Sequence, residues 1–148
     1  MRPIGLGSLA SLVLAILVGQ SVEAQPKVPE ITVAATDYAF LVLPAMPSGP
    51  VVIGFSNQGK VNHEVAIGRL KSGATLDEYL KTPPGPQRLV LLDGGTMILI
   101  AAPGKTADGK LWVDLVKGAT YVVWCNFRDK PDAPQHMLLG MYATFTPR

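Results

Sequence analysis

Short apolar segments separated by glycine and proline set the strongest limit on how this chain folds. Its 148 residues include 15 glycines and 13 prolines, which leave little room for long helices between them. Valine and isoleucine dominate the segments that remain, and side chains branched at Cβ favour extended strands. Short strands between turn residues predict an all-β fold, an antiparallel Greek-key β-sandwich or barrel.

One short helix is expected to interrupt the strands. Thr75 and Glu78 form a capping box at its start, in which each side chain can bond the backbone N–H of the other residue. A helical insertion around residues 75–81 is therefore predicted, ending before Pro83 and Pro84. The predicted strands cover residues 31–36, 50–56, 61–67, 88–92, 97–101, 111–116, 120–125 and 141–146.

The first 24 residues have the pattern of a secretory signal peptide. Arg2 supplies a basic start, residues 9–18 an apolar stretch, and residues 22–24 a cleavage site. The apolar stretch is shorter than the ~20 residues that a membrane span needs, and Gln25 offers no thiol for a lipid. We expect one domain, residues 25–148, in the periplasm or secreted, with no membrane insertion after cleavage.

Charged residues are few and scattered. Lysine and arginine number 13 against 11 aspartates and glutamates, for a net charge of +2. No basic run alternates with aromatic residues, which argues against nucleic acid as a partner, and no charged tail points to a membrane surface.

The chain, which we expect to be exported, has a single cysteine, Cys125. A lone cysteine cannot form an internal disulfide, and a free thiol is a liability in an oxidising compartment. It must be buried and inert, be paired between chains, or bind a metal. The two histidines, His63 and His136, and two of the five methionines decide among these.

Side-chain alternation turns Cys125 and His63 towards one core. Cys125 ends the strand 120–125 on its apolar face, and His63 lies near the start of the strand 61–67. Glu64 and Ala66 are then predicted to face out.

The segment after Cys125 returns towards it. A loop that turns at Gly140 and re-enters as the last strand brings His136 and Met141 back to the cysteine. A thiolate, two imidazoles and a thioether suit copper that cycles between Cu(I) and Cu(II). Taken singly, a buried cysteine, a core histidine and two apolar methionines are ordinary core residues, but their conjunction favours a metal site.

This order of residues resembles the cupredoxins, the plastocyanin and azurin family of small copper proteins. The family pattern of an upstream His, a Cys, a loop, a second His and a Met corresponds to His63, Cys125, His136 and Met141. The Asn-containing turn at 57–59 and the Gly-Ala-Thr-Tyr entry into the cysteine strand also resemble the family. The resemblance covers most of residues 28–148.

The resemblance implies one type 1 copper ion and one-electron transfer. His63, Cys125 and His136 would form the equatorial plane, and Met141 would be the weak axial ligand. Four protein ligands leave no open position, so the chain is not expected to be an enzyme.

Three features depart from the family pattern. The loop 126–135 between the cysteine and the second histidine is longer than in the small electron carriers. Glu64 follows the first histidine where the family often has an Asn that ties the two ligand loops together. A carboxylate could accept loop N–H bonds instead. Residues 69–86 resemble an insertion.

A redox partner is expected to dock near His136, Leu138 and Leu139, an apolar part of the loop 126–141, the ligand loop, that should lie at the surface. Met137 is predicted to be a surface or rim residue, and the protein to be a monomer. Two other functions stay open: a periplasmic copper-binding or delivery protein, and a metal-free cupredoxin-fold interaction module.

Overall fold

The structure of the chain is a computed structural model, and it describes residues 27–41, 43 and 45–148. These residues contain two four-stranded sheets. The predicted signal peptide, residues 1–24, lies outside the described residues. The strands of the first sheet are, in spatial order, β2 (Ala39–Phe40), β1 (Glu30–Thr36), β3 (Gly49–Asn57) and β6 (Leu111–Leu115). The strands of the second sheet are, in spatial order, β5 (Met97–Ala101), β4 (His63–Arg69), β7 (Tyr121–Trp124) and β8 (Tyr142–Phe145).

The predicted two-sheet β fold is confirmed. Neighbouring strands are antiparallel except for β1 and β3, which are parallel. Alternate side chains of both sheets meet in one buried apolar core, because each strand turns every second residue inward. Among its members are Val33, Ile53, Phe55, Val65, Ile67, Val123, Cys125 and Met141.

Most of the predicted strands match observed strands within a few residues, but the strand at 88–92 is wrong. The chain forms helix α2, Pro86–Leu89, followed by a turn, and Leu92 makes only an isolated bridge to Leu70. Pro86 occupies the first turn of this helix, where its missing N–H costs nothing. The two-residue strand β2 was not predicted.

The predicted helix is confirmed as α1, Leu76–Lys81. Thr75 caps it, since its Oγ1 accepts a bond from the Glu78 backbone N–H at 3.1 Å. Helices α1 and α2 cover the outer face of the second sheet and create a second apolar cluster there. Its buried members are Ala66, Leu70, Tyr79, Leu92, Val122, Trp124 and Met137.

This second cluster corrects the prediction that Glu64 and Ala66 face out. Both point away from the main core, as alternation requires, but Ala66 is fully buried and Glu64 is 8% exposed. The segment between β4 and β5 forms this cover, and only its first part lies in the predicted insertion 69–86; strand periodicity could not reveal the cover. Neither helix in the described ranges is long and apolar enough to span a bilayer.

Candidate metal centre

Three chain segments bring His63, Cys125 and His136 together at one end of the two sheets. His63 begins β4, Cys125 directly follows β7, and His136 begins a 3-10 helix, His136–Leu139, just before β8. All three side chains are at most 1% exposed. The chain has therefore placed three soft or borderline donors inside the protein, away from water.

The donor atoms of these residues face a common point. Cys125 Sγ lies 3.9 Å from His63 Nδ1 and 3.5 Å from His136 Nδ1, and the two nitrogens are 3.1 Å apart. The point equidistant from all three lies about 2 Å from each, close to the ~2.0–2.3 Å of metal–imidazole and metal–thiolate bonds. The spacing thus fits one metal ion.

Backbone hydrogen bonds hold the ligand loop in a closed shape. The Met137 N–H donates to the Cys125 carbonyl at 2.9 Å, and the Met141 N–H donates to the His136 carbonyl at 3.0 Å. The Cys125 N–H in turn donates to the Met141 carbonyl at 3.2 Å. Gly140 closes the turn with a φ of +105°, a conformation that glycine adopts at little cost.

The two methionines of this loop lie on opposite sides of the second sheet. Met141 is fully buried in the main core, in the same cluster as Cys125. Met137 is 1% exposed and belongs to the second cluster, with its sulfur 2.9 Å from Arg88 Nη1. The prediction that Met137 is a surface or rim residue is therefore wrong, because α1 and α2 cover it.

Cys125 is a neutral thiol until a metal binds. Burial raises its pKa to about 11, although the Glu64 backbone N–H, 3.4 Å from Sγ, favours the thiolate. Burial likewise lowers the pKa of His63 and favours its neutral form. A metal ion would displace the thiol proton and find a neutral His63 imidazole available.

Glu64 links β4, which begins with His63, to the segment that follows β7 and contains Cys125. Its Oε1 accepts bonds from the Asn126 backbone N–H at 2.9 Å and from Asn126 Nδ2 at 2.7 Å. The Glu64 carboxylate thus accepts a backbone N–H bond from the loop after Cys125, as a carboxylate could do in place of the Asn often found in the family.

The turn before His63 is held by Asn57. Its side chain donates to the carbonyls of Val61 and Ala101 at 2.8 and 3.0 Å and accepts from the Gly59 N–H at 2.8 Å. A side chain at residue 59 would not fit, since its Cβ would lie 2.3 Å from Asp37 Oδ1. The turn therefore fixes both the start of β4 and the position of Asp37.

Three residues around the histidines were not predicted: Asp37, Tyr38 and Asp129. His136 Nε2 lies 3.0 Å from Asp129 Oδ1, and the Tyr38 hydroxyl donates to Asp129 Oδ2. His63 Nε2 lies 3.5 Å from Asp37 Oδ1, outside hydrogen-bond geometry. No local motif marks these residues, because the β1–β2 turn and the loop after Cys125 meet only in the fold.

Tyr38 stands edge-on to both imidazoles. Its ring centroid is 5.0 Å from that of His136 and 6.3 Å from that of His63. It has a φ of 60°, which bulky side chains rarely adopt. The hydrogen bond from Tyr38 lowers the pKa of Asp129, while the Lys60 backbone N–H lowers that of Asp37. Both carboxylates are therefore charged at neutral pH.

The predicted docking residues differ in exposure. Leu138 and Leu139 are 57% and 48% exposed, whereas His136 is 1% exposed. The ligand loop has an apolar surface at Leu138 and Leu139, but Tyr38 and Asp129 contact the His136 imidazole that was expected to form its edge.

The sequence matches no protein-family model and no curated protein. Its fold is similar to solved auracyanins. The auracyanin of Roseiflexus castenholzii, solved after dithionite reduction, is 19% identical, with 81% of this chain and 97% of that chain aligned at a TM-score of 0.52. Auracyanin B is 18% identical, with 83% and 92% aligned at a TM-score of 0.54. Auracyanins are cupredoxins, and the arrangement of two facing sheets that this chain shares with them shows that it has the cupredoxin fold.

Proposed function

We propose that this protein is an exported one-electron carrier that holds a single type 1 copper ion. The observation that carries the proposal is the buried cluster of Cys125 Sγ and the Nδ1 atoms of His63 and His136, all about 2 Å from one point. Two imidazoles, a thiolate and a nearby thioether form the donor set of blue-copper sites. His63, Cys125 and His136 are the proposed equatorial ligands, and Met141 the axial ligand.

Copper bound there would supply a Cu(II)/Cu(I) couple, and the protein supplies a site that changes little between the two states. Glu64 links the start of β4, which carries His63, to Asn126, the residue after Cys125, and backbone bonds close the loop that carries His136 and Met141. Donors held in place before the metal arrives have little to rearrange when its charge changes.

Electron transfer is a better fit than catalysis at the metal. Three equatorial ligands and an axial thioether leave no position for a substrate, whereas catalytic metal sites keep one open. The pattern of residues 1–24 supports export, and a lone cysteine held by a metal suits an oxidising compartment.

Leu138 and Leu139 are the proposed docking surface for a redox partner. They are exposed and apolar, and they lie in the ligand loop between His136 and Met141. Exposed apolar surface next to a functional site marks a contact region. We infer a monomer that meets its partner transiently through this surface.

Voltammetry of the copper-loaded protein tests the carrier function. We expect a reversible one-electron wave, with the metal retained through repeated reduction and oxidation. Release of copper on reduction would contradict the carrier and favour a delivery protein. A wild-type protein that takes up neither Cu(I) nor Cu(II) would favour a metal-free interaction module.

A further inference from the structure

The two histidines are oriented in the same way. Each presents Nδ1 to the centre, 3.9 or 3.5 Å from Cys125 Sγ, and turns Nε2 towards an aspartate. The contact of His136 Nε2 with Asp129 Oδ1 is 3.0 Å, and that of His63 Nε2 with Asp37 Oδ1 is 3.5 Å. Two carboxylates therefore lie behind the imidazoles that carry the proposed ligand nitrogens.

The surrounding chain fixes both carboxylates. The Lys60 backbone N–H donates to Asp37 Oδ1 at 2.7 Å, and Gly59 leaves the space that this carboxylate occupies. Asp129 is held by the hydroxyl of Tyr38, the one described non-glycine residue with positive φ. Rare backbone conformations persist where the surrounding structure enforces them, often at functional sites.

We propose that Asp129, and more weakly Asp37, are positioning residues that set the affinity and reduction potential of the metal centre. This inference rests on the proposed copper function. A carboxylate that accepts the Nε2–H of an imidazole leaves the Nδ1 lone pair for the metal and makes that nitrogen a stronger donor. Its negative charge also favours the more highly charged ion.

The geometry ranks the two aspartates. Asp129 Oδ1 lies 3.0 Å from His136 Nε2, within hydrogen-bond distance, whereas Asp37 Oδ1 lies 3.5 Å from His63 Nε2. His63 Nε2 has no hydrogen-bond partner among the described residues. Tyr38 contributes through Asp129, since its hydroxyl orients the carboxylate. The effects of removing each group should fall in the order Asp129, Asp37, with Tyr38→Phe smaller than Asp129→Asn.

The test compares reduction potentials and separate Cu(II) and Cu(I) affinities of Asp129→Asn, Asp37→Asn and Tyr38→Phe. Loss of a carboxylate behind a ligand histidine typically costs ~10- to 100-fold in metal affinity. Asp129→Asn should lose about tenfold or more in Cu(II) affinity and less in Cu(I) affinity. Each further tenfold by which the loss of Cu(II) affinity exceeds the loss of Cu(I) affinity raises the reduction potential by about 59 mV.

Asp93→Asn is the matched control. It removes the same charge from an exposed ion pair with Arg69, at the far end of β4 from His63. A potential shift of equal size in Asp93→Asn and Asp129→Asn would overturn the proposal, because net charge alone would explain it. An unshifted Asp129→Asn in a protein that still gives a blue copper band overturns this proposal alone, and wild-type protein that binds no copper overturns the proposed function as well.

The metal-free protein gives an independent readout. Nitrogen-15 NMR of the imidazoles reports which ring nitrogen carries the proton. We expect His136 in the Nε2–H form in the wild type, and a mixture of both forms in Asp129→Asn. An Nδ1–H tautomer of His136 in the wild type would contradict the orientation on which the inference depends.

Discussion

The two methionines of the ligand loop lie on opposite sides of the second sheet. Met141 lies in the main core with Cys125, and Met137 lies under the helices. Met141→Leu should leave copper bound and coloured but raise the reduction potential, because loss of the proposed weak axial donor would disfavour Cu(II). A tenfold relative loss of Cu(II) affinity corresponds to about 59 mV.

Met137→Leu is the control for this substitution. It changes a buried methionine of similar volume, which costs under about 1.5 kcal/mol of stability, and it should leave the potential unchanged. Voltammetry of both variants decides the assignment. A shifted potential in Met137→Leu with none in Met141→Leu would show that the wrong sulfur was chosen.

For single residues, the sequence predicts the orientation of those side chains that strand alternation and loop spacing control. Cys125 and His63 face inward because strands alternate, and Gly140 returns the loop. Asp37, Tyr38 and Asp129 escaped prediction, since their contacts with the imidazoles join parts of the chain far apart in sequence. In the sequence, an aspartate that accepts a hydrogen bond from an imidazole cannot be distinguished from any surface aspartate.

At the scale of elements, the segment after β4 packs against the ligand loop through Arg88. This side chain is 5% exposed, donates through Nε to the Thr82 carbonyl at 2.8 Å, and lies 5.4 Å from the centre of the Tyr79 ring. Its Nη1 contacts the sulfur of Met137. The helical segment between β4 and β5 therefore braces the ligand loop on the side of the second sheet away from Cys125.

Arg88→Ala should lower the free energy of unfolding by about 2 kcal/mol, because it removes buried packing and leaves the Thr82 carbonyl without its partner. Urea unfolding of the metal-free protein measures this change. Lys81→Ala, which breaks an exposed ion pair with Asp77, should change stability by about 0.5 kcal/mol or less. Equal effects of the two variants would mean that Arg88 does not brace the loop.

Element prediction failed where tertiary packing overrides local pattern. Residues 88–92 have the apolar character of a strand, yet Pro86 starts a helix that buries Arg88 and covers the second sheet. The capping box at Thr75 carries its own hydrogen bond, and α1 was predicted correctly for that reason. The burial of Arg88 could not be predicted from the sequence, because the residues around it show neither strand nor helix periodicity.

For the whole molecule, the exposed leucines of the ligand loop, Leu138 and Leu139, are the proposed site of electron entry. Leu138→Lys should slow electron self-exchange between reduced and oxidised copies by about tenfold, a change of ~1.4 kcal/mol in the barrier. The added lysine disrupts an apolar contact and places like charges face to face. NMR line broadening in a mixture of the two oxidation states measures this rate.

Trp112→Lys controls for the added charge. Trp112 is 72% exposed on β6, in the other sheet, and no part of the proposed docking surface. It should leave self-exchange near the wild-type rate, and neither substitution should alter the copper spectrum. Equal slowing by both would point to net charge, and no slowing by Leu138→Lys would place electron entry elsewhere.

The visible spectrum after addition of Cu(II) tests the copper centre most directly, because a thiolate bound to Cu(II) gives an intense charge-transfer band. We expect this band at one copper per chain in the wild-type protein and its loss in Cys125→Ser, which should retain the fold because serine is nearly isosteric with cysteine. A wild-type protein that stays colourless, or a Cys125→Ser variant with the same band, would contradict a type 1 copper centre at His63, Cys125 and His136.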